Sequence, residues 1–192
     1  MKTLPRPASL GLFAAFAALM IATRFHHFGD VLHLPDASMA LFFLGGLYLR
    51  KHWQFAVFIV LAVVIDWVAI EHAGVSDFCV TPAYSFLLPA YGVLWYAGRL
   101  YANRFDTTWR SLLGAAGVAL VASSLSFAIS NGAFYWLGGR YADPHFAEYV
   151  ARAWQWGPLF VRTTMAYVVV ALVVHAIAAS ALRLRSERTA DE

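Results

Sequence analysis

The sequence contains a single cysteine, Cys79, in 192 residues. One thiol cannot close a disulfide within its own chain, and no second cysteine stands at the spacing of a protein-only zinc site. Charge is also scarce: 13% of the residues are Asp, Glu, Lys or Arg, about half the ~25% usual in soluble domains. No G-x-x-x-x-G-K-[ST] run occurs, which excludes a P-loop nucleotide site within the chain. The net charge of +3 comes from cations scattered at segment ends rather than from a basic patch, so nucleic acid is not indicated as a partner.

In place of charge, 61% of the residues are hydrophobic and 16% aromatic. Long, nearly uncharged runs recur, and roughly 20 such residues cross a bilayer. The first run reads on through "ALMIATRF" without a small-residue cleavage site, so it is read as a span rather than a cleaved signal. The pattern predicts an all-α integral membrane protein, one six-helix domain over 1–192. The expected spans are 8–23, 37–49, 53–73, 82–101, 108–137 and 158–182, with a cytoplasmic tail over 183–192. The second is short and holds Gly45 and Gly46, which suits a bend or packing in a thin region.

The distribution of Lys and Arg sets the expected orientation. Lys2, Arg6, Arg50, Lys51, Arg99, Arg104, Arg110, Arg183, Arg185 and Arg188 fall on one side of the six spans. Arg24, Arg140 and Arg152 fall on the other, and Arg162 lies inside the start of the last helix. Both termini are therefore expected in the cytoplasm, with the Cys79 loop facing outward. His26, His27, His33, His72 and His145 fall on or near the outer side, as do Asp30, Asp36, Glu71, Asp77, Asp143 and Glu148. Loops this short cannot form a catalytic domain, so a binding site is expected among the outer helix ends.

Four features can carry function. Ala14, Ala18 and Ala22 make one face of the first helix smooth, which suits either internal packing or the docking of another membrane protein. Asp66 lies about two turns below the outer end of the third helix. An ionisable group at that depth faces a cavity or a partner, such as the "SSLS" of the fifth helix. Glu71 and His72, nearer the interface, read as solvated ends. "RYADPHFAEYVARAWQWGP" reads as a short helix, with Asp143 as N-cap, Pro144 in first position and Gly157 at its end. It suits an interfacial anchor or a lid, with Arg152 paired to Glu148 or turned toward Asp66.

The fourth is the cysteine itself, in "GVSDFCVTPAYSF". Thr81 and Pro82 signal a helix start, which places Cys79 near a positive dipole end that favours the thiolate. Asp77 pulls the other way. A lone thiol is either inert or an axial ligand to a metal already held by a macrocycle, with Trp67, Phe78, Tyr84, Phe86 and Tyr91 as flat apolar walls.

Six helices, a small-residue face on the first and an outer site resemble the substrate-binding S components of energy-coupling factor transporters. The stretch "DWVAIEHAGVSDFCVTPAYSFLLPAYGVLWYAGR" resembles the BtuM-type cobalamin transporters of Gram-negative bacteria, solitary S-component-like proteins with a cysteine before the fourth helix. The resemblance covers nearly the whole chain. It implies uptake of cobalamin across the inner membrane, with Cys79 binding the corrin cobalt and Asp66, Tyr84 and Arg152 lining the pocket. It also implies a coupling membrane protein with ATPases, docking on Ala14, Ala18 and Ala22. A thiolate on one cobalt face loosens cyanide on the other, so thiol-assisted decyanation of cyanocobalamin is a companion expectation. The competing readings are uptake of a bare transition-metal ion by the outer histidines, and a membrane haem or quinone protein using Cys79 or His175.

Overall fold

The computed structural model of the protein describes residues 5–24 and 34–190, with side chains through residue 185. Among the described residues all regular structure is helical: α1 (Arg6–Arg24), α2 (Ser38–Tyr48), α3 (His52–Ala73), α4 (Leu87–Tyr101), α5 (Trp109–Leu137) and α6 (Phe146–Ala190). Two short 3-10 turns, Asp77–Cys79 and Pro82–Phe86, lie between α3 and α4. Helices α1, α3, α5 and α6 are long and apolar enough to cross a membrane. Exposed Trp53 and Trp67 flank α3, and Trp109 and Trp136 flank α5, as in the aromatic belts of membrane proteins.

Helix α2 organises the bundle. It touches each of the other five α-helices, and nine of its residues, Ser38 and the run from Ala40 to Leu47, are buried. At 11 residues it is roughly 16 Å long, about half the thickness of a hydrocarbon core. Gly45 and Gly46 lie inside it. They let α4 approach: a methyl group on Gly46 would overlap the Trp95 carbonyl, and one on Gly98 would overlap the Phe43 carbonyl. Two helix backbones thus meet without intervening side chains, as small residues permit. Trp95, fully buried, fills the space over Gly45.

Backbone geometry explains the turns. Arg50 takes a left-handed φ of 67° between α2 and α3, and its guanidinium donates to the Ala102 carbonyl at 2.6 Å. Gly74 ends α3 in the left-handed conformation, φ 68°, which costs glycine nothing.

Three boundaries differ from the sequence reading. Residues 143–157 do not form a separate helix, because Gly157 does not stop α6: one helix of 45 residues runs through Pro158. Gly157 is buried and packs on the Phe127 ring of α5, so its lack of a side chain serves packing. Asp143 is not the cap. The helix starts at Phe146, and Glu148 N donates to Nδ1 of His145 at 3.2 Å. At Thr81–Pro82 the chain makes a 3-10 turn, and the α-helix begins at Leu87.

Overpacking the α2–α4 contact is expected to destabilise the protein. Gly46→Ala should cost about 1–3 kcal/mol and lower the melting temperature in detergent. Gly92→Ala, whose methyl meets nothing within 4 Å, should leave it unchanged or raise it slightly. Equal melting of the two variants would show that the backbone contact is not limiting.

Candidate functional site

At the end of the bundle that carries the Cys79 loop, one guanidinium joins five stretches of chain. Arg24, the last residue of α1, is 4% exposed. Its Nε and Nη2 donate to the two oxygens of Asp66 on α3 at 2.7 and 2.6 Å, the bidentate fork that makes Arg–carboxylate pairs strong. Its Nη1 donates to the Tyr91 hydroxyl of α4 at 2.8 Å and to Ser38 Oγ of α2 at 3.1 Å. It also lies 3.5 Å from Asp36 Oδ2. Tyr84, in the second 3-10 turn, donates its hydroxyl to Asp66 Oδ2 at 2.6 Å. Asp36 in turn accepts from the amide and hydroxyl of Ser38, at 2.8 and 2.6 Å.

Asp66 therefore does not bond the serines of α5. Ser123 and Ser124 return their hydroxyls to the Leu120 carbonyl of their own helix. The aspartate of α3 is held by Arg24 and Tyr84, and one cation faces two carboxylates. Arg24 reads in sequence as an outer-loop charge. The signal that could have found it is its position opposite Asp66 at the same helix ends.

Cys79 is half-buried on a loop fastened from two directions. Phe78 N donates to Ser76 Oγ at 3.2 Å. Arg140, from the α5–α6 loop, donates to the Phe78 carbonyl at 3.1 Å and lies 5.0 Å over the Phe78 ring. Burial pushes the thiol above its ordinary value, the negative charge of Asp66 adds to this, and Arg140 pulls the other way. The balance that the sequence leaves open between a helix start and Asp77 thus falls on the side of the neutral thiol, through burial. The turn after Thr81 is five residues of 3-10 helix, and the Thr81 hydroxyl caps nothing, leaving little dipole to act on the sulfur. The acid that acts on the thiol is Asp66 rather than the neighbouring Asp77.

Arg152 pairs with neither Glu148 nor Asp66. Its guanidinium sits 4.8 Å over the Tyr141 ring, while Glu148 Oε2 lies 2.9 Å from the Tyr135 hydroxyl. Ring contacts from Tyr141 to Phe134 and from Phe134 to Phe78 lead back to the Cys79 loop. The site residues read from the sequence therefore fall into two adjoining groups. Asp66 and Tyr84 join Arg24, and Arg152 joins Cys79 through aromatic rings and Arg140. Of the expected aromatic walls, Trp67, Phe78 and Phe86 are exposed, whereas Tyr91 is buried and stacks on Phe42 at 4.1 Å.

The first turns of α6 turn Phe146, Val150 and Trp154 outward, at 71%, 47% and 82% exposure. A hollow of about 230 Å³ lies below Tyr84 between α3 and α4, lined also by Ile59, Ala62, Val63, Leu88 and Tyr91. Cys79 does not line it. Among the described residues, no three of His, Cys, Asp or Glu come together as metal donors. His26, His27, Asp30 and His33 lie outside the described residues. His175 packs its ring on Tyr48 and Phe105. Ala14, Ala18 and Ala22 are exposed, so internal packing does not use that face of α1.

No protein-family model matches the chain, and no curated protein matches it.

Two outcomes follow from this geometry. Asp66→Leu strands a nearly buried guanidinium and should cost about 3–5 kcal/mol, while the Arg24→Met/Asp66→Leu double variant should melt closer to wild type than Asp66→Leu does. Additive losses in a double-mutant cycle would contradict the pairing. Alkylation of Cys79 by iodoacetamide should show its inflection at higher pH than a free thiol, moving higher still in Arg140→Gln and lower in Asp66→Asn. An inflection at or below the free-thiol value would contradict the burial argument.

Proposed function

We propose that the protein binds cobalamin at the Cys79 end of the bundle and takes it up across the bacterial inner membrane, with the Cys79 sulfur as a ligand to the corrin cobalt. In this reading the chain crosses the bilayer six times, both termini are cytoplasmic and the Cys79 loop faces outward. The observation that carries the reading is the setting of the thiol: half-open, alone as a soft donor, on a pinned loop between exposed Phe78 and Val80. One sulfur is too few to hold a bare ion, but it suffices for a metal whose equatorial positions a macrocycle already fills. The resemblance of the stretch around Cys79 to BtuM-type transporters points to the same cargo.

The chemistry balances as a ligand exchange. The thiol loses its proton as the sulfur–cobalt bond forms, because a coordinating thiol is deprotonated outright. The sulfur displaces the lower base of cobalamin from one face. Electron density pushed onto cobalt weakens the cobalt–carbon bond of a cyanide on the opposite face. The cyanide leaves with its electron pair and takes up a proton as hydrogen cyanide, and water fills its position. Cobalt keeps its oxidation state, so no reductant is needed. A thiol held neutral until the metal arrives is protected from unwanted alkylation and oxidation. Arg152, Tyr84 and Asp66 are assigned to the amide fringe of the corrin. The exposed Ala14, Ala18 and Ala22 face of α1 is assigned to a coupling membrane protein with ATPases, since the chain has no P-loop of its own.

The test is the visible spectrum of purified protein incubated with cyanocobalamin and passed through gel filtration. Wild type should emerge red with cobalt bands shifted from the free vitamin, and Cys79→Ala should lose that shift. A colourless wild type would refute cobalamin binding. Equal binding and an identical spectrum in Cys79→Ala would refute ligation by the thiol.

A further inference from the structure

An open groove of about 460 Å³ runs between α4 and α5 on the flank of the bundle, away from the Cys79 loop. Val93 and Ala97 form one wall, and Gly117, Val118, Val121 and Leu125 form the other. Its lining is almost wholly apolar. At its lower end Gly114 is covered by Tyr101, whose hydroxyl donates to the Ser111 carbonyl at 2.9 Å. Gly117 is open, and a methyl built there meets nothing within 4 Å.

Two features define what fits. From Gly114 to Leu125 the groove follows 12 residues of helix, roughly 16 Å from first to last, which matches the ~15 Å depth of one leaflet's hydrocarbon. The groove also ends at the arginine-rich side of the molecule. Arg110 lies one turn before Gly114 on the same face of α5, is exposed, and is 5.5 Å over the Trp109 ring. Arg104, also exposed, lies three residues past the end of α4, and its carbonyl accepts from the hydroxyl of Ser111, the neighbour of Arg110, at 3.3 Å. Helical side chains lean toward the helix N-terminus, so Arg110 is aimed at headgroup level. The one carboxylate in this loop, Asp106, is occupied by the amide and hydroxyl of Thr108 at 2.8 and 2.6 Å.

We propose that the α4–α5 groove is a binding site for an anionic phospholipid, with one acyl chain lying along Gly117 and the phosphate meeting Arg110 and Arg104. The site is separate from the Cys79 end, and the inference requires only that the helices cross a membrane. An apolar slot alone accepts any lipid, whereas the paired arginines at its mouth select for negative charge.

Native mass spectrometry of the full chain, purified and exchanged into mixed phosphatidylglycerol and phosphatidylcholine, tests it. Wild type should retain one phosphatidylglycerol in preference to phosphatidylcholine by at least several-fold. Arg104→Gln/Arg110→Gln should bring that preference close to one while still carrying lipid. Gly117→Phe, which fills open space, should lose the retained lipid with an unchanged melting temperature in lipid-free detergent. No preference in wild type, or undiminished preference in the double arginine variant, would overturn the assignment of the headgroup. Undiminished lipid in Gly117→Phe would overturn the groove. If Gly117→Phe kept its lipid but lost a dimer seen in wild type, the groove would be a seam between two copies and the proposal would be wrong.

Discussion

A guanidinium buried in an apolar bundle is tolerable only where its charge and its donors are met on the spot, and Arg24 is met by four neighbours drawn from widely separated parts of the chain. Asp66 takes two of its N–H groups, Tyr91 and Ser38 share another nitrogen, and Asp36 adds a second negative charge. Because Ser38, Asp66 and Tyr91 sit on three different helices, the cation sets the relative position of α1, α2, α3 and α4 at one end. Tyr84 extends the same network into the turn that follows Cys79. The loop with the thiol is therefore not free to wander: its far side is fixed through Tyr84 and Asp66, and its near side through Arg140.

The opposite half depends on shape more than charge. A short helix surrounded on every side has to be apolar all round, and α2 reads "SMALFFLGGLY". Its glycines and Gly98 bring two backbones together with no side chain between them, while Trp95 and the stacked pair Phe42 and Tyr91 fill what remains. Tyr91 links the two regimes, since its ring packs on Phe42 and its hydroxyl serves Arg24.

Apolar runs made the helices legible, and α3 and α5 fall within a residue or two of their expected limits. Hydropathy reports only the length of a run, so it did not show that α2 sits at the centre of the bundle, against each of the other five helices. Local rules failed where tertiary contact outweighed them. Gly157 and Pro158 read as a helix end, but burial of Gly157 against Phe127 carries α6 through the missing hydrogen bond of the proline. Asp66 was legible as important because an acid at that depth needs a partner. The partner was not, because pairing across 42 residues leaves no periodic trace. The charge environment of Cys79 stayed open in sequence for a related reason: Thr81–Pro82 and Asp77 pull in opposite directions there, while the sulfur responds to burial and to Asp66, thirteen positions away in the chain.

The continuity of α6 has a mechanical corollary. At 45 residues it is a rod of roughly 68 Å, more than twice the hydrocarbon thickness. Arg152 near one end touches Tyr141, and Arg183 near the other bonds Thr107 before α5. Pro158 removes one backbone tie about a quarter of the way along, next to the glycine that rests on α5. The rod is held from outside near each end and again beside the proline, so the Phe127 ring supports the place where its own ladder is weakest.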